Sequence, residues 1–366
     1  MSDSGARILF VPVSGPFGRG EFARSSAIAR AVQLRWPAAG VHFVLSREAP
    51  YAAGVPFPAT WLPASPTFHS AEVIDLIRSW RPHVVVFDNA GRTAQLRAAH
   101  RSGARVVYIS ARRRQRRKAF RLRWMQLLDE HWIAYPEFIA GSLTLAERLK
   151  ERLLGRPTVR YLDVILAPAR PSRDGDGPAA SQEPGDFVLV VPGGGTGHPG
   201  AQDATAHFLG AARALAREGV AVRYVGPVGP AGAGTMQARS PHFLPMGSLP
   251  QAELAQLMRD ARLIVVNGGS TLLQAIACGA ACVAVPIAGD QRERIRRCVA
   301  AGVAVEAPLA AAEILSRSQA LLRDESLRAE LARRARGLAL GDGIAVALSA
   351  LGPYLEPHRS LSGTGA

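Results

Sequence analysis

The sequence is poor in cysteine, with three in 366 residues: Cys278, Cys282 and Cys298. Three thiols cannot all pair with one another, and their spacing suits neither a zinc site nor a disulfide framework. A reducing compartment is therefore expected. Long apolar runs are missing too. None approaches the ~18 residues of a membrane-spanning helix, so no transmembrane helix is expected. The opening "MSDSGARILFVPVSG" lacks a basic start and a signal-type apolar segment. Residues 8–13 read instead as a first buried strand, and the expected location is the cytoplasm. No G-x-x-x-x-G-K-[ST] loop occurs, which argues against a P-loop nucleotidase. Acidic residues are scarce, 29 against 44 Lys and Arg, for a net charge of +15.

At 48% apolar, the chain is globular and long enough for two domains with sizeable cores. Short β-branched runs alternate with helix-like stretches. "RILFVPV", "VHFVLS", "HVVVFDN", "ARVVYIS" and "HWIAYP" come first; "FVLVVPG", "VAVRYVG", "RLIVVNG" and "CVAVPI" follow. Runs without polar alternation fit parallel strands covered on both faces. Between the two sets, "PARPSRDGDGPAASQEPGD" is rich in Pro, Gly, Ser and Asp and reads as a linker. The expected fold is α/β, with two doubly wound Rossmann-like domains facing across a cleft. Their predicted bounds are 1–168 and 186–345, with a linker over 169–185. A closing helix and tail over 346–366 are read from the apolar "GIAVALSALGPYL".

The charge is unevenly spread. Residues 1–170 carry 26 Lys and Arg against 12 Asp and Glu, whereas residues 171–366 carry 18 against 17. The first half should face something acidic: phosphate, anionic lipid or nucleic acid. "ARRRQRRKAFRLRWMQLLDEHW" (Ala111–Trp132) concentrates this charge, with eight basic residues among the twelve from Arg112 to Arg123. Its spacing predicts one amphipathic helix, with Phe120, Trp124 and Leu127 on one stripe and Arg113, Arg117 and Arg121 on another face. Such a helix suits an anionic membrane surface, touched by Arg113, Arg117, Arg121 and Trp124. A solvated arginine-rich helix is the plainer alternative. Nucleic acid is disfavoured, because no recognised nucleic-acid module is present.

Three strand ends carry glycines: "SGPFGRGEFAR", "PGGGTGHPG" and "NGGST". Bare backbone followed by a helix start offers unpaired N–H groups and a positive dipole end, as an anionic diphosphate requires. Tight turns without a ligand remain the alternative for any one loop. In "VVNGGSTLLQAIACGAACVAVPIAGDQ", Gly268 and Gly269 would clear space, and Ser270 or Thr271 would cap a helix. Gln274, one turn on, could bond a ribose. Asp290 and Gln291 follow the next strand and together accept and donate hydrogen bonds, which suits a sugar.

This stretch resembles the donor-binding signature of GT-B glycosyltransferases, through Gly268, Gly269, Thr271, Gly279, Pro286, Asp290 and Gln291. It departs at Gln274, where the family has a ribose-binding Glu, and at Ala281, where Pro is usual. "FVLVVPGGGTG" resembles the first strand and diphosphate loop of a GT-B C-terminal domain, which implies roles for Gly194, Gly195 and Thr196. "HFLPMGSLPQAELAQLMRDARLIVVNGG" resembles the base-binding segment and includes Met246. "GRGEFARSSAIARAV" is similar to the N-terminal loop of MurG-like transferases and of PseG-like UDP-sugar hydrolases. Gly18, Gly20 and Arg24 fall in register, and Glu21 stands at the family's histidine. Glu21 is then the candidate general base. Asp88, ending "HVVVFDN", is its expected partner, and two neighbouring carboxylates would raise one pKa. Without such a role, Glu21 is a helix-start acid on the dipole and Asp88 a loop cap. Arg19 and Arg24 could meet the diphosphate.

The resemblance implies a metal-independent, inverting transferase. It would move a sugar from a nucleotide diphosphate, UDP-linked, to a hydroxyl acceptor that is lipid-linked or of the cell envelope. The first domain would hold the acceptor and the second the donor. No cofactor is implied beyond the nucleotide-sugar co-substrate. The expected place is the inner membrane face. A UDP-sugar hydrolase and a non-catalytic sugar-nucleotide-binding subunit remain alternatives, the latter favoured by the losses at Glu21 and Gln274.

Overall fold

The β-branched runs form two all-parallel sheets in the computed structural model, which describes residues 5–16, 20–165, 185–193, 204–228 and 241–356. In the first sheet, β1 (Arg7–Pro12), β2 (Gly40–Ser46), β3 (Ala59–Leu62), β4 (Val84–Asp88), β5 (Arg105–Ser110), β6 (Glu130–Ile133) and β7 (Thr158–Tyr161) lie in the order β3-β2-β1-β4-β5-β6-β7. In the second, β8 (Gly185–Val191), β9 (Val222–Tyr224), β10 (Phe243–Pro245), β11 (Ala261–Asn267), β12 (Cys282–Val285) and β13 (Val305–Glu306) lie in the order β10-β9-β8-β11-β12-β13. The central strands are buried on both faces, as Val84–Phe87 and Leu263–Val266 show. The order reverses between β1 and β4, and again between β8 and β11. Ligands of such sheets sit beyond the carboxyl ends at those points.

Every run read as a strand is one. The strands not foreseen, β3, β7, β10 and β13, lie at or next to sheet edges. They are short and mostly half-buried, so no continuous apolar run marks them.

The chain groups into two compact units, Met1–Asp163 with Asp342–Ala366, and Val164–Gly341. The apolar helix Gly343–Leu355 packs against the helix Gly20–Arg35 in the first unit. Its Tyr354 ring lies 4.8 Å from the Arg105 guanidinium carbon.

The single basic helix expected over Ala111–Trp132 is corrected. Two short helices, Arg113–Ala119 and Leu122–Met125, replace it. The aromatic stripe turns inward because large rings gain most by burial. Phe120 is buried, and Trp124 is fully so, edge-on to Tyr108 at 5.2 Å with its Nε1 donating to Thr93 Oγ1 at 3.0 Å. Trp124 therefore cannot touch a membrane, whereas Arg113, Arg117 and Arg121 stay exposed. Arg116 also turns inward. It donates to the carbonyls of Gly141 (2.6 Å) and Ser142 (2.8 Å) and pairs with Glu147 at 2.7 Å.

His131 on β6 is wholly buried, with Nε2 at 2.8 Å from Ser110 Oγ and Nδ1 without a partner among the described residues. Burial, reinforced by the Arg116 charge, pushes its pKa down to about 3. Below its ordinary value near 6.5 the unfolded chain is protonated here while the folded chain is not. Stability is therefore lost as pH falls, by roughly 1.4 kcal/mol per unit over that window. Asp88 acts with the opposite sign, because its raised folded pKa of about 6 makes the folded chain the better proton binder just below it. The informative quantity is thus the difference between wild type and His131→Leu. The wild type's advantage at pH 7 should shrink steadily toward pH 4 in urea unfolding. All five tryptophans lie in the first unit, so their fluorescence reports it selectively.

Candidate functional site

In the first unit, the sheet's switch point is built by β1, β4 and the helix Gly20–Arg35. Arg24 points from that helix at the end of β4, where its Nε meets Asp88 Oδ2 at 2.9 Å and its Nη2 meets Oδ1 at 2.6 Å. Ser25 Oγ adds a third bond to Asp88 at 3.2 Å. Both partners are buried, with side-chain exposures of 9% and 0%. Burial pushes the Asp88 carboxyl up to about 6, against the pull of Arg24. Burial works against the Arg24 charge, but the carboxylate more than offsets it and raises its pKa. The pair is ionised at neutral pH. Two expectations are thereby corrected. Asp88 is not a second reacting carboxylate, because its oxygens are taken and no solvent reaches it. Arg24 is not available to a diphosphate, because it locks the helix start to β4.

Glu21 lies one turn earlier on the same helix and is half-buried. Its Oε1 accepts from Asn89 Nδ2 at 2.9 Å. Asn89 Oδ1 accepts from the Ala111 N–H at 2.8 Å, which fixes the amide so that its NH2 must face Glu21. Asn89 adopts a left-handed conformation (φ 52°), which asparagine tolerates better than most residues. The second oxygen of Glu21 has no hydrogen bond among the described residues. Asn89 was not singled out from the sequence; its only signal is its position at the end of "HVVVFDN". Gly20 begins the helix with open space where a Cβ would stand. Gly18 and Arg19 lie outside the described residues, as do Gly194, Gly195 and Thr196.

In the second unit, Asn267 at the end of β11 organises the switch point. Its Nδ2 donates to the Pro192 carbonyl at 2.5 Å and its Oδ1 accepts from the Gly269 N–H at 2.8 Å. It thus ties the loop after β8 to the loop after β11, and the sequence reading missed it. Gly193 has φ 80° and faces the Asn267 amide where a Cβ would go. The space a Cβ would take at Gly268 and Gly269 is filled by the protein itself, which corrects the expectation that these glycines clear it. A Cβ on Gly268 would come within 2.6 Å of Ile295 Cδ1, and one on Gly269 within 2.8 Å of Asn267 Oδ1. The helix Gly289–Ala300 packs over this turn, and its buried Arg294 donates to the Gly268 carbonyl. Asn267→Leu removes the tie and strands the Gly269 N–H. It should cost roughly 1–3 kcal/mol, read as a fall in thermal stability by far-ultraviolet circular dichroism.

The helix Ser270–Ala277 has no side-chain cap on its first turn, so neither Ser270 nor Thr271 caps it as expected; the residue before it is Gly269. Ser270 is exposed and Thr271 half-buried. Gln274 is buried and its Nε2 donates to the Ile165 carbonyl at 2.8 Å. That bond takes the Nε2, so the expected ribose contact would fall to Oε1. Asp290 is exposed, whereas Gln291 is buried with its Oε1 accepting from the Ile287 N–H at 3.0 Å. Of that pair only Asp290 faces solvent. Met246, half-buried, follows β10 and donates its N–H to the Tyr224 carbonyl at 2.9 Å. A groove of about 710 Å³ opens among Phe187, Arg223, His242 and Leu244. It lies at the amino ends of β8–β10, away from the strand ends where such sheets bind ligands.

Two parallel doubly wound sheets in this chain order define the GT-B architecture. No protein-family model and no curated protein matches the chain. Solved structures do. One is the MurG of Acinetobacter baumannii, with TM-score 0.63 and 16% identity over 95% of this chain and 99% of that one. Another is the spinosyn rhamnosyltransferase SpnG complexed with thymidine diphosphate, with TM-score 0.60 and 17% identity over 94% and 99%. A third is a putative UDP-N-acetylglucosamine 2-epimerase from Listeria monocytogenes, with TM-score 0.57 and 12% identity over 97% and 98%. At such identities the likeness is one of fold. A fold shared by transferases and an epimerase leaves the chemistry to be argued from the site.

Proposed function

We propose that this chain is a glycosyltransferase that moves a sugar from a nucleoside diphosphate donor, UDP-linked, to a hydroxyl acceptor carried on a lipid. The observation that carries this reading is Glu21, a half-exposed carboxylate at the switch point with one oxygen held by Asn89 and the other open among the described residues. Glu21 takes the acceptor's proton as its oxygen attacks the anomeric carbon. The bond from that carbon to the diphosphate breaks, and the configuration inverts. Asn89 positions the carboxylate through its amide N–H. In the second unit, the uncapped first turn of the helix Ser270–Ala277 stabilises the leaving diphosphate without a metal, and Ser270, Thr271 and Asp290 offer polar contacts.

A second reading has its own support. Gln274 gives its Nε2 to the Ile165 carbonyl and carries no charge where the resembled family has a Glu, and Glu21 stands at that family's histidine; both departures favour a sugar-nucleotide-binding subunit without transfer activity. Calorimetry of the full chain against UDP, dTDP and GDP and their sugars tests both. Binding of one nucleotide, with its release from the sugar only when acceptor is present, supports transfer. Binding with no turnover supports the second reading, and no binding defeats both.

A further inference from the structure

The helix Leu145–Leu154 carries its apolar face outward. Leu145, Leu149 and Leu153, spaced by four residues, are 83%, 56% and 74% exposed. Arg148 and Arg152 lie beside this stripe and are also exposed. The half-buried residues of the helix include Glu147, Lys150 and Glu151, which are charged. Glu147 is held by Arg116, and Lys150 Nζ donates to the Phe120 carbonyl at 3.3 Å. This is the reverse of an ordinary surface helix, which buries its apolar face. Both ends are fixed without help from a partner. Thr144 and Glu147 form a capping box, and Gly155 ends the helix in the left-handed conformation. The outward leucines are thus a permanent feature of the surface.

The contacts of Arg116 and Lys150 place this helix beside the basic segment, whose Arg112, Arg113, Arg114, Arg117, Arg121 and Arg123 are all exposed. Leu122, between two of those arginines, is 55% exposed. We propose that the outward face of the helix Leu145–Leu154, with Leu122 and the neighbouring arginines, docks on an anionic lipid surface. The leucines enter the headgroup and acyl boundary while the arginines meet lipid phosphates. Charge selects this occupant. A second copy of the chain would bring two arginine-rich surfaces together, whereas an anionic bilayer satisfies the leucines and the arginines at once. No helix among the described residues is long and apolar enough to cross a membrane. The inference rests on this surface alone, independently of the transfer reading.

The test is co-sedimentation of the full chain with vesicles of phosphatidylcholine, alone or mixed in equal parts with phosphatidylglycerol. Wild type should sediment with the mixed vesicles and stay largely free with the neutral ones. Leu149→Glu with Leu153→Glu should lower the partition coefficient by on the order of a hundredfold, a factor of about ten for each leucine. These side chains are exposed, so the fold is spared, which unchanged tryptophan fluorescence would verify. Arg148→Gln with Arg152→Gln should weaken binding and flatten its salt dependence. Three results would overturn the proposal: wild type that ignores the anionic vesicles, a leucine variant that sediments like wild type, or a wild-type dimer by light scattering that this variant dissolves without loss of vesicle binding. Nucleotide calorimetry on the same proteins separates this outcome from that of the transfer reading.

Discussion

Glu21→Gln is expected to lower turnover by roughly 10²–10⁴-fold, the usual loss when a positioned base is removed, while nucleotide affinity stays at the wild-type value. The substitution keeps the side chain's shape and removes its ability to take a proton. Donor contacts belong to the other unit in this reading, so the loss should fall on the rate and not on donor binding. Asn89 supplies a second, independent handle. Its amide donates to Glu21 and is itself fixed by the Ala111 N–H. Asn89→Asp sets a carboxylate against Glu21, and like charges in contact resist ionising. The acid limb of the pH–rate profile should then move to higher pH, an effect that a merely structural role for Asn89 would not produce. Near-wild-type turnover of Glu21→Gln would assign the proton transfer to another group. The assay is nucleoside diphosphate release in the presence of acceptor, using the donor that calorimetry identifies.

Asp88→Asn is expected to destabilise the first unit by roughly 3–5 kcal/mol, the range for removing one partner of a buried ion pair. The carboxylate has no exposure and takes three hydrogen bonds, two from Arg24 and one from Ser25. Its loss leaves the Arg24 guanidinium buried without a counter-charge. Replacing both partners with apolar residues, as in Arg24→Met with Asp88→Leu, should cost clearly less than Asp88→Asn alone, because no charge is then stranded. Urea unfolding followed by tryptophan fluorescence reads the first unit without interference from the second, which has no tryptophan. A cost below about 1 kcal/mol for Asp88→Asn, typical of an exposed ion pair, would mean that the site is more open to water than its burial indicates.

The architecture was legible because a parallel sheet covered on both faces must be written as short, unbroken apolar runs. Val84–Phe87 and Leu263–Val266 are such runs, and their alternation with helices leaves few other folds. The edge strands β3, β7, β10 and β13 were not, because a half-buried strand of two to four residues carries no pattern. Within the sites, the sequence located the strand ends, but not the partners that hold Asp88, Arg24 and Gln274 there.

By itself the sequence determined that this protein has two parallel α/β sheets and that its charge is concentrated in the first half. These follow from composition, short-range period and register, all of which are properties of neighbouring residues. Only the tertiary structure decided which groups are taken and which remain free. Asp88 and Arg24 neutralise each other across 64 positions, and Gln274 meets a carbonyl 109 positions away. Gly268 is bare to admit Ile295. Trp124 is inside and Leu149 outside, although the arginine-rich run around Trp124 reads as a surface helix and an ordinary surface helix buries its leucines. Helical period says that a stripe exists, but which way it faces depends on what stands opposite, and that partner comes from a distant part of the chain.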